Sequence, residues 1–274
     1  MTQSKSKLGT VYLVIVFILM YLPIFYLILF AFNKGDYMSQ FTGFSLQHFR
    51  DMFSDARLMS ILVNTFIIAL LSSLIATLIG TFGALGIYGV RSVGMRNMIL
   101  SLNNVLMVSP DVIIGASFLI LFTMAGLSLG FGSVLLSHIA FSIPIVVLMV
   151  LPRLKEMNPA LIDAARDLGA STGQVLSKVV LPFAWPGILA GFFMAITYSL
   201  DDFAVTFFVT GNGFSTLSVE IYSRARQGID LSINALSALM FLVSLILVVI
   251  YYFITNRGNA AHARKNVTRM VVPR

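Results

Sequence analysis

The sequence predicts an all-α polytopic membrane protein, a bundle of six transmembrane helices. Of its 274 residues, 58% are apolar and only 11% are charged, and the mean hydropathy is +0.93. An ordinary soluble domain carries roughly 25% charged residues, so a water-soluble fold is excluded. The apolar runs are also much longer than the about 9–11 residues of a transmembrane β-strand, which excludes a barrel.

Six apolar stretches are long enough to cross a bilayer, since a spanning helix needs about 20 mainly apolar residues. They cover approximately residues 9–32, 61–88, 99–125, 131–151, 183–209 and 233–255. The first one follows a short basic segment, residues 1–8, as a secretory signal would. Its apolar run continues to residue 32, however, and exceeds the about 7–15 residues of a signal-peptide core. We therefore predict a retained span.

The distribution of basic residues predicts the orientation of these spans. Thirteen of the 18 Lys and Arg residues lie in the N-terminus, the second and fourth connections and the tail 256–274. Since Lys and Arg are enriched on the cytoplasmic side, both termini are predicted to lie in the cytoplasm, with the chain in the cell (inner) membrane. The net charge of +7 thus reflects contact with membrane lipid and topology, and no nucleic-acid partner is expected.

The composition argues against metal binding, catalysis and nucleotide binding by this chain. The chain has no Cys, and its three His lie far apart in sequence, so neither a metal site nor a catalytic residue is predicted. The phosphate-binding pattern G-x-x-x-x-G-K-[ST] is absent from the sequence, so any ATP must be bound by another polypeptide.

Ala76, Gly80 and Ala84 recur every fourth residue on the second span and predict close helix packing.

The fourth connection, residues 152–182, is predicted to be a helical elbow. Asn158 can cap a short helix with Pro159 at its first position, and Gly169 can end it. Ser171 and Gln174 have the spacing of a capping box at the start of a second helix. Spacing alone leaves two interpretations open, a linker packed on its own bundle or a docking element.

Within this elbow the sequence resembles the EAA loop of ABC-importer permeases. The matching residues are Asp163, Ala164, Ala165, Gly169, Val179, Leu181 and Pro182. Asp163 replaces the usual Glu of that pattern and Val179 the usual Ile, which preserves charge and shape respectively. The resemblance implies the type I (MetI-like) permease fold and a coupling helix that sits in a groove of a cytoplasmic ATPase. In that helix Asp163, Ala164, Ala165 and Gly169 would contact the ATPase.

The resemblance extends over nearly the whole chain. In detail the sequence is similar to the spermidine and putrescine importers of this family. The similar segments are 107–111 (MVSPD), 178–182 (KVVLP), 199–202 (SLDD) and 208–211 (FVTG). It implies a non-enzymatic permease that works with a second permease subunit, two copies of an ATPase subunit and an extracytoplasmic substrate-binding protein. ATP and magnesium would be bound by the ATPase, and this chain would hold no cofactor.

Independently of the family, three carboxylates fall within predicted spans: Asp111, Asp201 and Asp202. Each would cost about 2.5–3.5 kcal/mol at the centre of a lone helix, so such groups normally face a partner or a wet cavity. On a continuous helix Asp202 shares a face with Tyr198 and Thr206. We therefore expect Asp202 to face a substrate path, and Asp201 to serve either the path or a structural contact.

The chain offers no Lys or Arg within the spans to pair with these acids. The positive charge would come from a partner subunit or from the substrate itself, which favours a cationic solute. The predicted substrate path comprises Asp111, Asp202, Asp201 and Tyr198. Three alternatives stay open: an ABC importer for another small solute, a proton-coupled secondary carrier whose acids titrate, and a structural scaffold.

Overall fold

The computed structural model describes residues 7–35, 37–227 and 231–270, with side chains for 9–35, 37–227 and 231–254. In this part of the chain the regular structure is helical, apart from an isolated bridge between Asn33 and Phe44, which confirms the all-α prediction. The helices are α1 (Lys7–Ala31), α2 (Gln47–Ser54), α3 (Ala56–Gly89), α4 (Val93–Val108), α5 (Asp111–Met124), α6 (Phe131–Glu156), α7 (Ala160–Asp167), α8 (Thr172–Val175), α9 (Leu181–Asp201), α10 (Ala204–Val209), α11 (Leu217–Gln227) and α12 (Leu231–Met270). A π-helical turn, Leu176–Val180, joins α8 to α9.

Five helical segments of the described chain are long and apolar enough to cross a membrane, and a bent pair provides a sixth if it counts as one span. The five lie in α1, α3, α6, α8 with α9, and the first part of α12. Some helices exceed their predicted limits: α3 begins at Ala56, α6 ends at Glu156 and α12 continues to Met270. The predicted tail thus overlaps α12, while residues 1–6 and 271–274 lie outside the described residues.

The bent pair, α4 and α5, replaces the single third span predicted over residues 99–125. The two helices meet at an angle of 101°. Ser109 and Pro110 between them are extended, with ψ of 140° and 133°. Proline provides no backbone N–H and disfavours the helical conformation of the residue before it. The predicted third span is therefore broken at Pro110, the residue whose missing N–H favours a kink at this position.

The predicted fifth span, residues 183–209, is also broken. Helix α9 ends at Asp201, Asp202 is extended with ψ of 119°, and α10 begins at Ala204. The prediction of a continuous helix was wrong here. In consequence Tyr198, Asp202 and Thr206 do not form the helical face that the sequence spacing predicted.

The chain divides into two compact units, Met1–Ser60 with Ile221–Leu245, and Ile61–Glu220 with Ile246–Arg274. In the second unit Val146 of α6 lies between two glycines. A Cβ atom at Gly80 of α3 would lie 2.7 Å from the Cβ atom of Val146, and one at Gly191 of α9 would lie 3.1 Å from its Cα atom. Ala76 and Ala84 are fully buried. The predicted close packing of the second span through its small residues is confirmed.

The first unit contains a hydrogen-bonded cap at the start of α3. The Oδ1 atom of Asp55 accepts hydrogen bonds from the backbone N–H groups of Arg57 at 2.9 Å and Leu58 at 3.1 Å. Its other carboxylate oxygen lies 3.3 Å from Nη2 of Arg224 in α11. The Leu58 hydrogen bond, more than the Arg224 side chain, holds the pKa of Asp55 below its usual value.

Asp55→Ala is expected to lower the stability of the protein by about 1 kcal/mol, because it removes this helix cap. Since folding lowers the pKa, the stabilisation by the charged form is present above the ordinary aspartate pKa and is lost as the pH falls through the folded value. Asp55→Asn is the control, because it keeps the acceptor and loses the charge. In detergent, the Asn variant should unfold at a lower temperature than wild type near neutral pH, and at the same temperature in acid. A difference that persists in acid would contradict a contribution from the charge of Asp55.

Candidate functional site

The two helix breaks lie close to each other in the second unit and place three carboxylates near them. Asp111 is the first residue of α5, Asp201 is the last residue of α9, and Asp202 occupies the second break. Helix α5 packs against α10, so tightly that a Cβ atom at Gly115 would lie 2.7 Å from the ring of Phe208. Broken helices expose backbone carbonyls, which in a membrane are tolerated only inside protein or beside a water-filled cavity.

An exposed pair, Asp111 and Tyr198, connects the two breaks. The Tyr198 hydroxyl donates a hydrogen bond to Oδ1 of Asp111 at 3.2 Å. The Tyr198 ring packs edge-on against Phe141 of α6, with ring centroids 5.0 Å apart, and keeps 37% of its surface exposed. Asp111 and Asp201 are both exposed as well. These three side chains together present negative charge beside an aromatic ring, an arrangement that suits a cation.

Asp202 has a different environment from the one expected. Only 6% of its side chain is exposed. Its Oδ2 atom accepts hydrogen bonds from the backbone N–H of Thr206 at 2.8 Å and from the Thr206 hydroxyl at 2.7 Å, and Oδ1 accepts from the Val205 N–H at 3.3 Å. The expectation that Asp202 faces an open path therefore does not hold within this chain. Its carboxylate caps α10, while the exposed side chain is that of Asp201.

The partner of Asp202 is a residue that the sequence analysis missed. His138 of α6 is fully buried, and its Nε2 atom lies 3.5 Å from Oδ2 of Asp202. The signal that could have identified His138 was its position in an apolar span, where polar side chains normally need a partner.

The elbow predicted over residues 152–182 is present. Oδ1 of Asn158 accepts a hydrogen bond from the Ala160 N–H at 3.0 Å at the start of α7. Gly169 follows the helix with a positive φ of 81°, a left-handed conformation that other residues adopt at a cost. Ser171 and Gln174 form the reciprocal capping box of α8, with the Ser171 N–H donating to the Gln174 side chain at 2.8 Å.

Helix α7 has one face on the protein and one exposed. Ile162 and Ala165 pack against the core cluster of the second unit. Asp163 and Ala164 are exposed, and Leu168, which directly follows the helix, is 89% exposed. The elbow thus packs on its own bundle, and its exposed outer face leaves docking as a prediction.

Among the residues that the structure describes, no cluster of three His, Asp or Glu side chains is arranged to hold a metal ion. The candidate site therefore consists of the exposed acids and Tyr198 at the helix breaks, the buried pair of His138 and Asp202 behind them, and the outer face of α7.

Comparison with solved structures identifies the fold. The chain superimposes on a bacterial ABC transporter that imports the acidic polysaccharide alginate, with a TM-score of 0.70 and 19% identity over 91% of this chain and 94% of that one. The MetNI methionine ABC transporter matches with a TM-score of 0.59 and 22% identity, over 76% of this chain and 98% of that one. At this level of identity the likeness concerns the fold, and it confirms the predicted MetI-like permease architecture.

Sequence relatives cover most of the chain. The spermidine/putrescine transport system permease protein PotC of Haemophilus influenzae is 34% identical over 94% of this chain and 100% of its own length. PotC of Escherichia coli K12 is 36% identical over 84% of this chain and 87% of that protein. The putrescine permease PotI of the same strain is 29% identical over 86% of each chain.

A family model also matches residues 89–258, which include both helix breaks and the elbow. Its description is binding-protein-dependent transport system inner membrane component. The match covers more than half of the chain and agrees with the fold and with the full-length relatives. The chain therefore belongs to this family, the inner-membrane permease subunits of ABC importers.

Proposed function

We propose that this permease subunit carries polyamines of the spermidine and putrescine type into the cell. The observation that carries the proposal is the exposed pair of Asp111 and Tyr198, with Asp201 nearby, at two helix breaks that pack together. The six apolar stretches predicted as spans contain no Lys or Arg to neutralise these acids. The relatives named as spermidine and putrescine permeases support the same substrate class.

The chemistry of a polyamine suits this arrangement. Its ammonium groups are separated by apolar methylene chains, so carboxylates can pair with the charges while an aromatic ring contacts the cations or the spacer. A membrane potential that is negative inside already favours inward movement by roughly 2.3 kcal/mol per charge per 100 mV. The acids lower the barrier to crossing, and ATP hydrolysis provides directionality and accumulation.

The partners follow from the same proposal. This chain pairs with a second permease subunit, two copies of an ATPase subunit that bind ATP and magnesium, and an extracytoplasmic binding protein. The outer face of α7, with Asp163, Ala164 and Gly169, contacts the ATPase from the cytoplasmic side, where both termini also lie. Closure of the ATPases moves the elbow, and α9 transmits this movement to the path, which alternates between outward and inward access.

The test is uptake of labelled spermidine and putrescine by the complete complex in proteoliposomes that contain ATP. We expect uptake that requires both ATP and the binding protein. A neutral solute of similar size should not inhibit it. Uptake by this chain alone, driven by a proton gradient, would instead establish a secondary carrier. ATP-dependent uptake of a different solute, with none of the amines, would establish an importer of other specificity.

The coupling role of α7 gives a separate prediction. Ala164→Leu is expected to reduce co-purification of the ATPase by about tenfold, because overpacking a close contact costs about 1–3 kcal/mol. Ala164 is exposed in this chain, so the permease itself should fold normally. Ala164→Ser is the matched control, since it stays small. Equal recovery of the ATPase with the Leu and Ser variants would exclude close contact at this position.

A further inference from the structure

A buried polar network surrounds His138 and joins four helices of the second unit. Nδ1 of the imidazole lies 2.6 Å from Oγ of Ser199 in α9, and Nε2 lies 2.9 Å from Oγ1 of Thr206 in α10. Ser199 in turn lies 3.2 Å from Oγ of Ser72 in α3. Apart from Asp202, these side chains are at most 3% exposed by residue. Buried networks of this kind hold their members in a defined geometry when every group is satisfied.

Counting protons assigns the role of Nε2. The Thr206 hydroxyl has one proton, and it donates this proton to Oδ2 of Asp202. Its oxygen can therefore only accept from the imidazole, so Nε2 must carry hydrogen. Asp202 also accepts two backbone N–H groups of α10. His138 is thus the donor that completes the shell of groups around the break.

The other side of the ring tolerates two proton arrangements. The Ser72 hydroxyl can donate to Ser199, which then donates to Nδ1 of a neutral imidazole. Alternatively Ser72 donates to the carbonyl of Ala69 at 3.3 Å, and Ser199 accepts from a charged imidazolium. The second arrangement has one more proton, on Nδ1, and the Ser199 and Ser72 hydroxyl hydrogens rotate to accommodate it. In both of them Nε2 keeps the same acceptors, so the hold on the break does not depend on the charge of the ring.

The break that His138 holds determines where the exposed acid points. Asp202 directly follows the last residue of α9. Its carboxylate accepts the Thr206 N–H at the start of α10, and its carbonyl oxygen accepts a hydrogen bond from the Ser218 hydroxyl. Asp201 is its direct neighbour, and Tyr198 lies in the last turn of α9. A change in the direction of the chain at Asp202 therefore moves both exposed groups relative to Asp111.

We propose that His138 is a positioning residue of the substrate path. Its Nε2–H donates to Thr206, whose hydroxyl donates to Asp202, and it thereby fixes the start of α10 and sets the positions of Asp201 and Tyr198. This inference rests on the proposed function for its transport readout. The imidazole does not touch the substrate and acts through the buried carboxylate. Phe141 contacts both the imidazole, in a tilted arrangement, and the ring of Tyr198, edge-on.

Two polar replacements separate this role from simple filling of space. His138→Gln carries an amide near the position of Nε2, whereas His138→Asn carries one near Nδ1 and reaches only Ser199. Loss of the Nε2 hydrogen bond to the buried Thr206 hydroxyl should lower the maximal uptake rate of the Asn variant by about tenfold. The Gln variant is expected to stay much closer to wild type. Equal rates for the two variants, or a better Asn variant, would overturn the proposal.

A second measurement needs no substrate. The chain has no Cys, so Phe207→Cys on α10, a position that is 49% exposed, provides a single site on this chain for maleimide labelling, measured on its own band from the purified complex. The labelling rate should change by several-fold in the Asn background and return toward the starting rate in the Gln background. Leu102→Cys on α4, at 65% exposure, is the control that should not respond. An unchanged rate at Phe207→Cys in both backgrounds overturns the role of His138, whereas failure of polyamine uptake by the wild-type complex refutes only the proposed substrate.

Discussion

Asp111→Asn is expected to reduce ATP-driven polyamine uptake at least about tenfold while the importer still assembles. A hydrogen bond to a charged group contributes about 1.5–3 kcal/mol, and an ammonium group that passes a neutral amide loses its counter-charge in a poorly solvated path. Asp111 is exposed, and its side-chain hydrogen bond is the one from Tyr198, so the fold should survive. The measurement is initial uptake of labelled spermidine into proteoliposomes, normalised to the amount of intact complex.

Two further variants act as controls for this result. Asp111→Glu keeps the charge and should retain most of the uptake. Tyr198→Phe keeps the ring and its contact with Phe141 but removes the donor to Asp111, so it should cause a smaller loss than Asp111→Asn. If Asp111→Asn transports at the wild-type rate, Asp111 does not form part of the path.

Gly187→Val is expected to have the largest effect on folding. A Cβ atom at Gly187 of α9 would lie 2.8 Å from the Met149 carbonyl oxygen and 2.8 Å from Cγ of Arg153, both on α6. The carbonyl belongs to a helix backbone and cannot move aside alone, so the two helices must separate. Overpacking of this kind typically costs about 1–3 kcal/mol or more, and we expect lower yield and a lower unfolding temperature in detergent.

The matched control is Gly86→Val on α3, where nothing lies within 4 Å of an added Cβ atom. The single Trp of the chain, Trp185, provides a fluorescence signal for thermal unfolding of both variants. If the two valine variants unfold at the same temperature, loss of a helical glycine rather than the contact with α6 accounts for any change at Gly187.

Much of the fold could be predicted because its signals are local. The apolar runs identified the spans, and Pro159, Gly169 and the Ser171 box identified the elbow from the chemistry of helix ends. The break at Pro110 could be located in the same way, although its 101° angle could not. The angle depends on how α4 and α5 pack against other helices, and no short sequence window encodes that packing.

The break at Asp202 lacks the proline that marks the first break, since neither Pro nor Gly occurs between Tyr198 and Val209. Besides the cap by Asp202, it depends on two groups distant in sequence. The imidazole of His138 hydrogen-bonds Thr206, and the hydroxyl of Ser218 donates to the Asp202 carbonyl. For the same reason the assignment of Asp201 and Asp202 went wrong. Helical periodicity is a valid guide to which residues share a face only while the helix continues.

The packing around Val146 has a consequence for how the molecule moves. With Gly80 on one side and Gly191 on the other, both close to the same branched side chain, α3, α6 and α9 interlock at this point and resist twisting past one another. These three helices should travel as one rigid block during the transport cycle. The hinges are then left to the segments outside the block, first of all the bent pair of α4 and α5.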